Sequence, residues 1–216
     1  MNGDPAADSS RLVLARHGQT ESNVLRALDT VPPGAPLNEL GHAQAAALGG
    51  RLAGDPISAV YASRAIRAQQ TAAPVAVAHG LDVIVVDGVH EVFCGDLEGR
   101  SDLHARESFD RTYAAWWQGD LDAHLPGGES AHELRDRFLP AIDKIMDGGT
   151  GTVVLVSHGA AIRLAAAALL GDTAETAYVP NAGLVILRPE AAGWTLEHWD
   201  AAAPVVGDVT AGGSAI

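Results

Sequence analysis

With 216 residues, 47% of them hydrophobic and 19% charged, the chain can bury one domain-sized core, is short for two ordinary domains, and lacks the low hydrophobicity of a disordered chain. Lys and Arg number 14 against 27 Asp and Glu, a formal charge of −13 at pH 7. A surface that acidic excludes nucleic acid and anionic membrane as general partners, and any anionic ligand has to meet a local basic pocket.

Residues 1–10 are small and polar and read as a loose terminus, without the basic start and apolar stretch of a secretory signal. The expected compartment is the cytoplasm, and the single cysteine, Cys94, fits reducing conditions and excludes an internal disulfide framework. From residue 11 to about 200, short β-branched runs alternate with Ala-rich helical segments, which predicts a single α/β domain on a mostly parallel sheet. Strands are expected at residues 11–15, 57–61, 82–86, 152–156, 184–187 and 195–198. Asn38 is placed to cap a helix running to Leu52, with Leu40, Ala43, Ala47 and Leu48 on one face, and a second helix is expected over residues 65–79. Ser130 and Glu133 have the spacing of a capping box, followed by an apolar stripe of Leu134, Phe138, Ile142 and Ile145 with a kink expected at Pro140. Residues 201–216 show no period and read as a loose tail. The most apolar segment, "VVLVSHGAAIRLAAAALL", is interrupted by Ser157, His158 and Arg163 well short of a membrane span.

Chemistry is expected where parallel strands end, because there the chain leaves the core and meets solvent. The first strand runs into "RHGQTESN", exposing Arg16 and His17. The fourth repeats the design in "VSHG": His158, then Gly159 and Ala160 opening a helix whose free N–H groups and positive dipole end suit an anion. A third strand end, "YASRAIRAQQTA", brings Arg64 and Arg67. In so acidic a chain, two histidines converging with arginines point to a phosphate dianion.

These segments resemble the histidine phosphatase superfamily, in the branch that contains the cofactor-dependent phosphoglycerate mutases. The resemblance runs from Leu12 to about Leu187 through "RHGQTESN", "PLNELGHAQA", "RAQQTA", "HEVFCGDLEG", "PGGES" and "VSHG", in the family's order. It implies a three-layer sandwich with helices on both faces of the sheet. It also implies that His17 is a nucleophile that becomes phosphorylated, that Arg16, Arg67 and His158 hold the phosphoryl oxygens with Asn23 as an extra donor, and that Glu91 is the proton donor. Arg67 is preferred to Arg64 because "RAxQTA" selects it. Arg64 stands where the family often has proline, and Leu97 where tryptophan is frequent.

The residue types suit that chemistry. A nucleophilic histidine has to be neutral, which neighbouring arginines favour, and phosphoryl transfer needs fixed donors more than covalent help. No metal or other cofactor is expected, since the remaining histidines have no ligand spacing. Asp96 and Glu98 read as turn residues, Glu129 and Glu133 as helix-start residues. Trp116 and Trp117 either pack on the sheet or touch substrate. Residues 26–36, with "VPPGAP", and 105–125 are expected to set specificity. Mutases of the family that the chain resembles usually carry a longer stretch with more basic residues between the acidic loop and the "GGES" turn; residues 99–128 are short, offer only Arg100, Arg106 and Arg111, and lack lysine, so the resemblance implies hydrolysis of small phosphomonoesters rather than a mutase reaction. Binding of a phospholigand without turnover is the non-enzymatic alternative, and a homodimer is compatible with the sequence. A nucleotide-binding domain fits less well, because no Gly-rich phosphate loop follows the first strand.

Overall fold

Hydrophobic residues on both sides of each central strand require a layer on each face, and the computed structural model has that arrangement. It describes residues 10–147, 151–171 and 177–202, so the termini read as loose lie outside the described residues apart from Ser10, Ala201 and Ala202. The strands are β1 (Arg11–Arg16), β2 (Ile57–Ala62), β3 (Val83–Val85), β4 (Thr152–Ser157), β5 (Leu184–Glu190) and β6 (Gly193–Trp199). They form one sheet in the order β3-β2-β4-β1-β5-β6. β3, β2, β4 and β1 pair in parallel, whereas β5 is antiparallel to both β1 and β6.

The helices are α1 (Glu21–Leu25), α2 (Glu39–Leu52), α3 (Ile66–His79), α4 (Leu103–Trp117), α5 (Ala131–Met146) and α6 (Gly159–Leu170). Strand alternation divides the core in two. Leu12 and Leu14 of β1 with Val153 and Leu155 of β4 pack with α5 and α6 residues such as Phe138, Ile142 and Ile162. Val13, Ala15, Val154 and Val156 face the other way, onto Leu48, Ala72 and Val75 of α2 and α3. Each fully buried Leu, Ile or Phe contributes roughly 1.5–3 kcal/mol of apolar transfer energy.

Several expected boundaries shift. β1, β2 and β4 each run one residue further, because Arg16 pairs with Ser157 and Ala62 with Val156 in the parallel ladder. The outer strand β3 is shorter, at three residues. The buried face of α2 is Gly41, Gln44, Ala45, Leu48, Gly49 and Leu52, which displaces the expected stripe. The reason is backbone contact: a Cβ at Gly49 would lie 2.9 Å from the Pro74 carbonyl oxygen of α3, so glycine forms the seam that hydrophobicity would assign to alanine. The Asn38 cap and the Ser130–Glu133 capping box are present, and α5 continues through Pro140.

Candidate active site

The carboxyl ends of β1, β2 and β4 lie side by side, and the loops leaving them meet around a cavity of about 370 Å³. Arg16 is the last residue of β1 and His17 the next. Local backbone packing turns the chain there: a Cβ on Gly18 would lie 2.5 Å from the Gly41 carbonyl oxygen, and one on Gly41 2.0 Å from that of Gln19. Only glycines allow the loop after His17 and the start of α2 to cross so closely. Asn181 Nδ2 donates to the His17 carbonyl at 3.0 Å and the Ala182 N–H donates to that of Arg16 at 3.1 Å, pinning the turn from the β5 side.

The hydrogen bonds define the tautomers. His17 Nδ1 lies 2.7 Å from the Gly18 carbonyl oxygen, which can only accept, so Nδ1 carries the proton and Nε2 the lone pair. Arg67 Nε donates to that lone pair at 3.2 Å. Arg67 Nη2 donates to the Asp29 carbonyl at 2.8 Å and to His158 Nδ1 at 3.3 Å, which leaves the His158 proton on Nε2, donating to Ser63 Oγ at 2.8 Å. One guanidinium thus meets the lone pairs of both imidazoles, whose rings lie edge to face at 5.1 Å. Burial, then Arg67, hold both histidines well below their ordinary pKa, so both are neutral. Arg16 donates through Nη1 to the Tyr178 hydroxyl and to the Val179 carbonyl, while its buried Nε makes no hydrogen bond.

Arg67 is 2% exposed; Arg64 lies on the surface, 3.3 Å from Asp87. Gly34 backs Arg67: its φ is +63° and a Cβ there would lie 2.3 Å from Arg67 Nη1. The Asp29 carboxylate lies 3.5 Å from the same nitrogen and accepts from Ser22 Oγ and the Ala35 N–H, both at 2.9 Å. Glu91 Oε1 accepts from the N–H groups of Val92 (2.8 Å) and Ala161 (2.9 Å), and Oε2 from Ala160 (3.2 Å).

Arg16, His17, Asn23, Arg67, Glu91, Gly159 and Ala160 all line the cavity. Two of the groups expected to contact phosphate have partners within the protein. The Ala160 N–H is engaged by Glu91, so the anion at the start of α6 is a carboxylate of the protein itself. His158 is fully buried beneath Arg67 and its Nδ1 accepts rather than donates, so it does not open onto the cavity. Asn23 spends its Oδ1 on the Thr20 N–H in the capping box of α1 and on Asn181, leaving Nδ2 for the cavity.

Other expectations change as well. Of residues 26–36 only 26–30 line the cavity; "VPPGAP" stands behind Arg67, because Gly34 packs on the guanidinium. Trp116 is buried and donates to the Ala123 carbonyl at 2.7 Å, and Trp117 lies under Arg163, so α4 faces the cavity with Arg106, Phe109, Asp110 and Tyr113 instead. Glu98 accepts from the N–H groups of Thr30 (2.8 Å) and Val31 (3.1 Å), fastening the cavity wall. Glu129 is bound to Arg137, whereas Glu133 keeps its place in the capping box. Asp29, Ser63, Tyr178 and Asn181 carry no sequence signal of their own, although the "PNAG" turn before β5 marks where the last lies.

A neutral imidazole lone pair, two buried guanidiniums and a carboxylate at the carboxyl edge of a parallel sheet define an anion site built for phosphoryl chemistry. The chain belongs to the histidine phosphatase superfamily (branch 1), whose pattern matches residues 12–202. The bifunctional protein Rv2228c of Mycobacterium tuberculosis (strain ATCC 25618 / H37Rv) is 39% identical over 158 residues, which are 72% of this chain and 43% of that protein; this chain spans less than half of its length. The 2,3-bisphosphoglycerate-dependent phosphoglycerate mutase of Methylobacterium sp. (strain 4-46) is 35% identical over 175 residues, 76% of this chain and 83% of that protein. Among solved structures, the mycobacterial glucosyl-3-phosphoglycerate phosphatase Rv2419c with VO3 superposes with a TM-score of 0.77 at 28% identity, covering 89% of this chain and 99% of the other. Among the described residues no helix is long and apolar enough to cross a membrane.

Proposed function

We propose that the protein hydrolyses small phosphomonoesters through a phosphohistidine on His17. The observation that carries this reading is the His17 tautomer: Nδ1–H is tied to the Gly18 carbonyl, so the Nε2 lone pair faces Arg67 at the cavity floor. A phosphoryl group entering there takes the Arg67 Nε–H on one oxygen and the unpartnered Arg16 Nε–H on another, releasing Nε2 for in-line attack. The ester binds as its monoanion and leaves its proton on the Glu91 carboxylate; the P–N bond then forms as the P–O bond to the leaving group breaks, and that proton passes from Glu91 to the departing oxygen to give an alcohol. Water then attacks phosphorus, Glu91 takes its proton back, the P–N bond breaks, and inorganic phosphate leaves with His17 neutral again.

His158 supports this from below by holding Arg67 Nη2. Transfer to water rather than to a second acceptor is favoured by the short segment 99–128 without lysine, and by the likeness to a structure described as a phosphatase. A cavity of about 370 Å³ suits a small metabolite. A buried, lone Cys94 fits a reducing compartment such as the cytoplasm.

The test is release of phosphate from a panel of small phosphomonoesters in the presence of a chelator, scored by kcat/KM. Turnover on at least one ester is expected. Conversion of 3-phosphoglycerate to 2-phosphoglycerate faster than phosphate release would replace hydrolysis by the mutase reading. Tight phosphate binding with no turnover on any ester would leave a binding protein.

A further inference from the structure

Glu91 lies in a stretch, residues 88–93, that has no strand or helix of its own. The carbonyls of residues 88–91 are nevertheless all held. Arg137 of α5 donates through Nη1 to the carbonyls of Gly88 (2.7 Å) and His90 (2.9 Å), and through Nη2 to that of Glu91 (2.9 Å). Ser157 Oγ takes the remaining carbonyl of that run, Val89, at 2.8 Å. The same guanidinium makes a two-pronged contact with Glu129, Nε to Oε1 and Nη2 to Oε2, both at 2.7 Å. Glu129 closes the far side, with Oε2 accepting the Phe93 N–H at 2.8 Å and its own N–H donating to the Phe93 carbonyl at 2.9 Å. Both side chains are less than a fifth exposed.

We propose that Arg137 and Glu129 are positioning residues that set the aim of the Glu91 carboxylate for proton transfer to the leaving group. The proposal rests on the reading of Glu91 as the proton donor. Neither residue lines the cavity, so they act only through the loop they grip. Gripping both ends of the loop fixes the Glu91 backbone, and the amides of Val92, Ala160 and Ala161 then receive its carboxylate in one orientation. A guanidinium suits this task because five donors in a rigid plane can reach three carbonyls and a carboxylate together, which an ammonium cannot. Displacements of about 1 Å at a reacting group suffice to lose much of its effect.

The test separates aim from general stability by the leaving group. An alkoxide needs a proton as the P–O bond breaks, whereas p-nitrophenolate leaves without one, and kcat/KM reports only steps up to the phosphoenzyme. Arg137→Met is expected to lower kcat/KM for glycerol phosphate at least about tenfold further than for p-nitrophenyl phosphate, within the 10²–10⁴-fold worth of a general acid. Glu129→Gln, which keeps the shape and removes the charge, is expected to act in the same sense but less, and carries the test if Arg137→Met does not fold. Glu91→Gln should show the same selective loss, and adding Arg137→Met to it should bring no further loss on glycerol phosphate. Independently of turnover, hydrogen exchange at Ala160 and Ala161 in the ligand-free protein should accelerate at least about tenfold in Arg137→Met relative to core amides such as Val154. Equal losses on both esters, or unchanged exchange at Ala160 and Ala161, would overturn the proposal. If the wild-type protein hydrolyses neither of these two, the best alkyl ester of the panel takes the place of glycerol phosphate; if it hydrolyses no ester at all, hydrolysis itself falls and the exchange measurement alone decides whether the clamp positions Glu91.

Discussion

Arg67 does three things at once: its Nε holds the His17 lone pair, its Nη2 the His158 lone pair, and its charge helps to keep both imidazoles unprotonated. Lysine supplies charge but a single compact ammonium, so Arg67→Lys is expected to cost about 10²-fold in kcat/KM, comparable with losing one fixed donor at a site of developing charge. Steady-state kinetics on the best ester of the panel checks this, and a loss below about threefold would show that charge alone suffices. That Arg16, His17, Arg67, Glu91 and His158 come together was legible in the sequence because each stands at a strand end or in a motif whose order matches a known family. Their detailed contacts were not. Asn23 looked like a plain phosphate donor, yet its carbonyl oxygen caps α1, and that depends on where Thr20 and Asn181 come to lie.

The elements carry a second layer of information, in which glycines and ion pairs shape the site without touching the reaction. Gly34 leaves room for the Arg67 guanidinium and sits at a positive φ, so Gly34→Ala both strains the loop and pushes on Arg67. The expected result is a KM at least about tenfold higher and a loss of roughly 1 kcal/mol or more in stability, read by steady-state kinetics and urea unfolding. An unchanged KM with lower stability would show that the loop does not control the arginine. Strands and capped helices were readable from periodicity and from Asn38, Ser130 and Glu133, since those signals are local. The face of α2 was misread because Gly41 and Gly49 bury backbone rather than side chain. The clamp of Arg137 on residues 88–91 was invisible for a related reason: its partners are carbonyls some 47 positions away, and a carbonyl has no letter in the sequence.

For the whole molecule, two buried neutral histidines make stability depend on pH. His17 and His158 have lowered pKa values when folded, so between those values and about 6.5 the unfolded chain binds more protons than the folded one. Stability is therefore expected to fall as pH drops below 6.5, by about 1.4 kcal/mol per pH unit for each histidine. Urea midpoints between pH 7 and 5.5 measure the slope, and His158→Asn should remove about half of it; a flat profile would contradict neutral histidines in the core. The chain's net charge of −13 contrasts with the arginines at the floor of the cavity where β1, β2 and β4 end, a local basic place for an anion in an acidic molecule.

The most direct measurement is acid-labile labelling. Mixing the protein with a phosphomonoester carrying labelled phosphate, quenching within a turnover and mapping the label should find one phosphohistidine, at His17, absent from His17→Ala together with hydrolysis. A labelled residue other than His17, or undiminished hydrolysis in His17→Ala, would contradict the account.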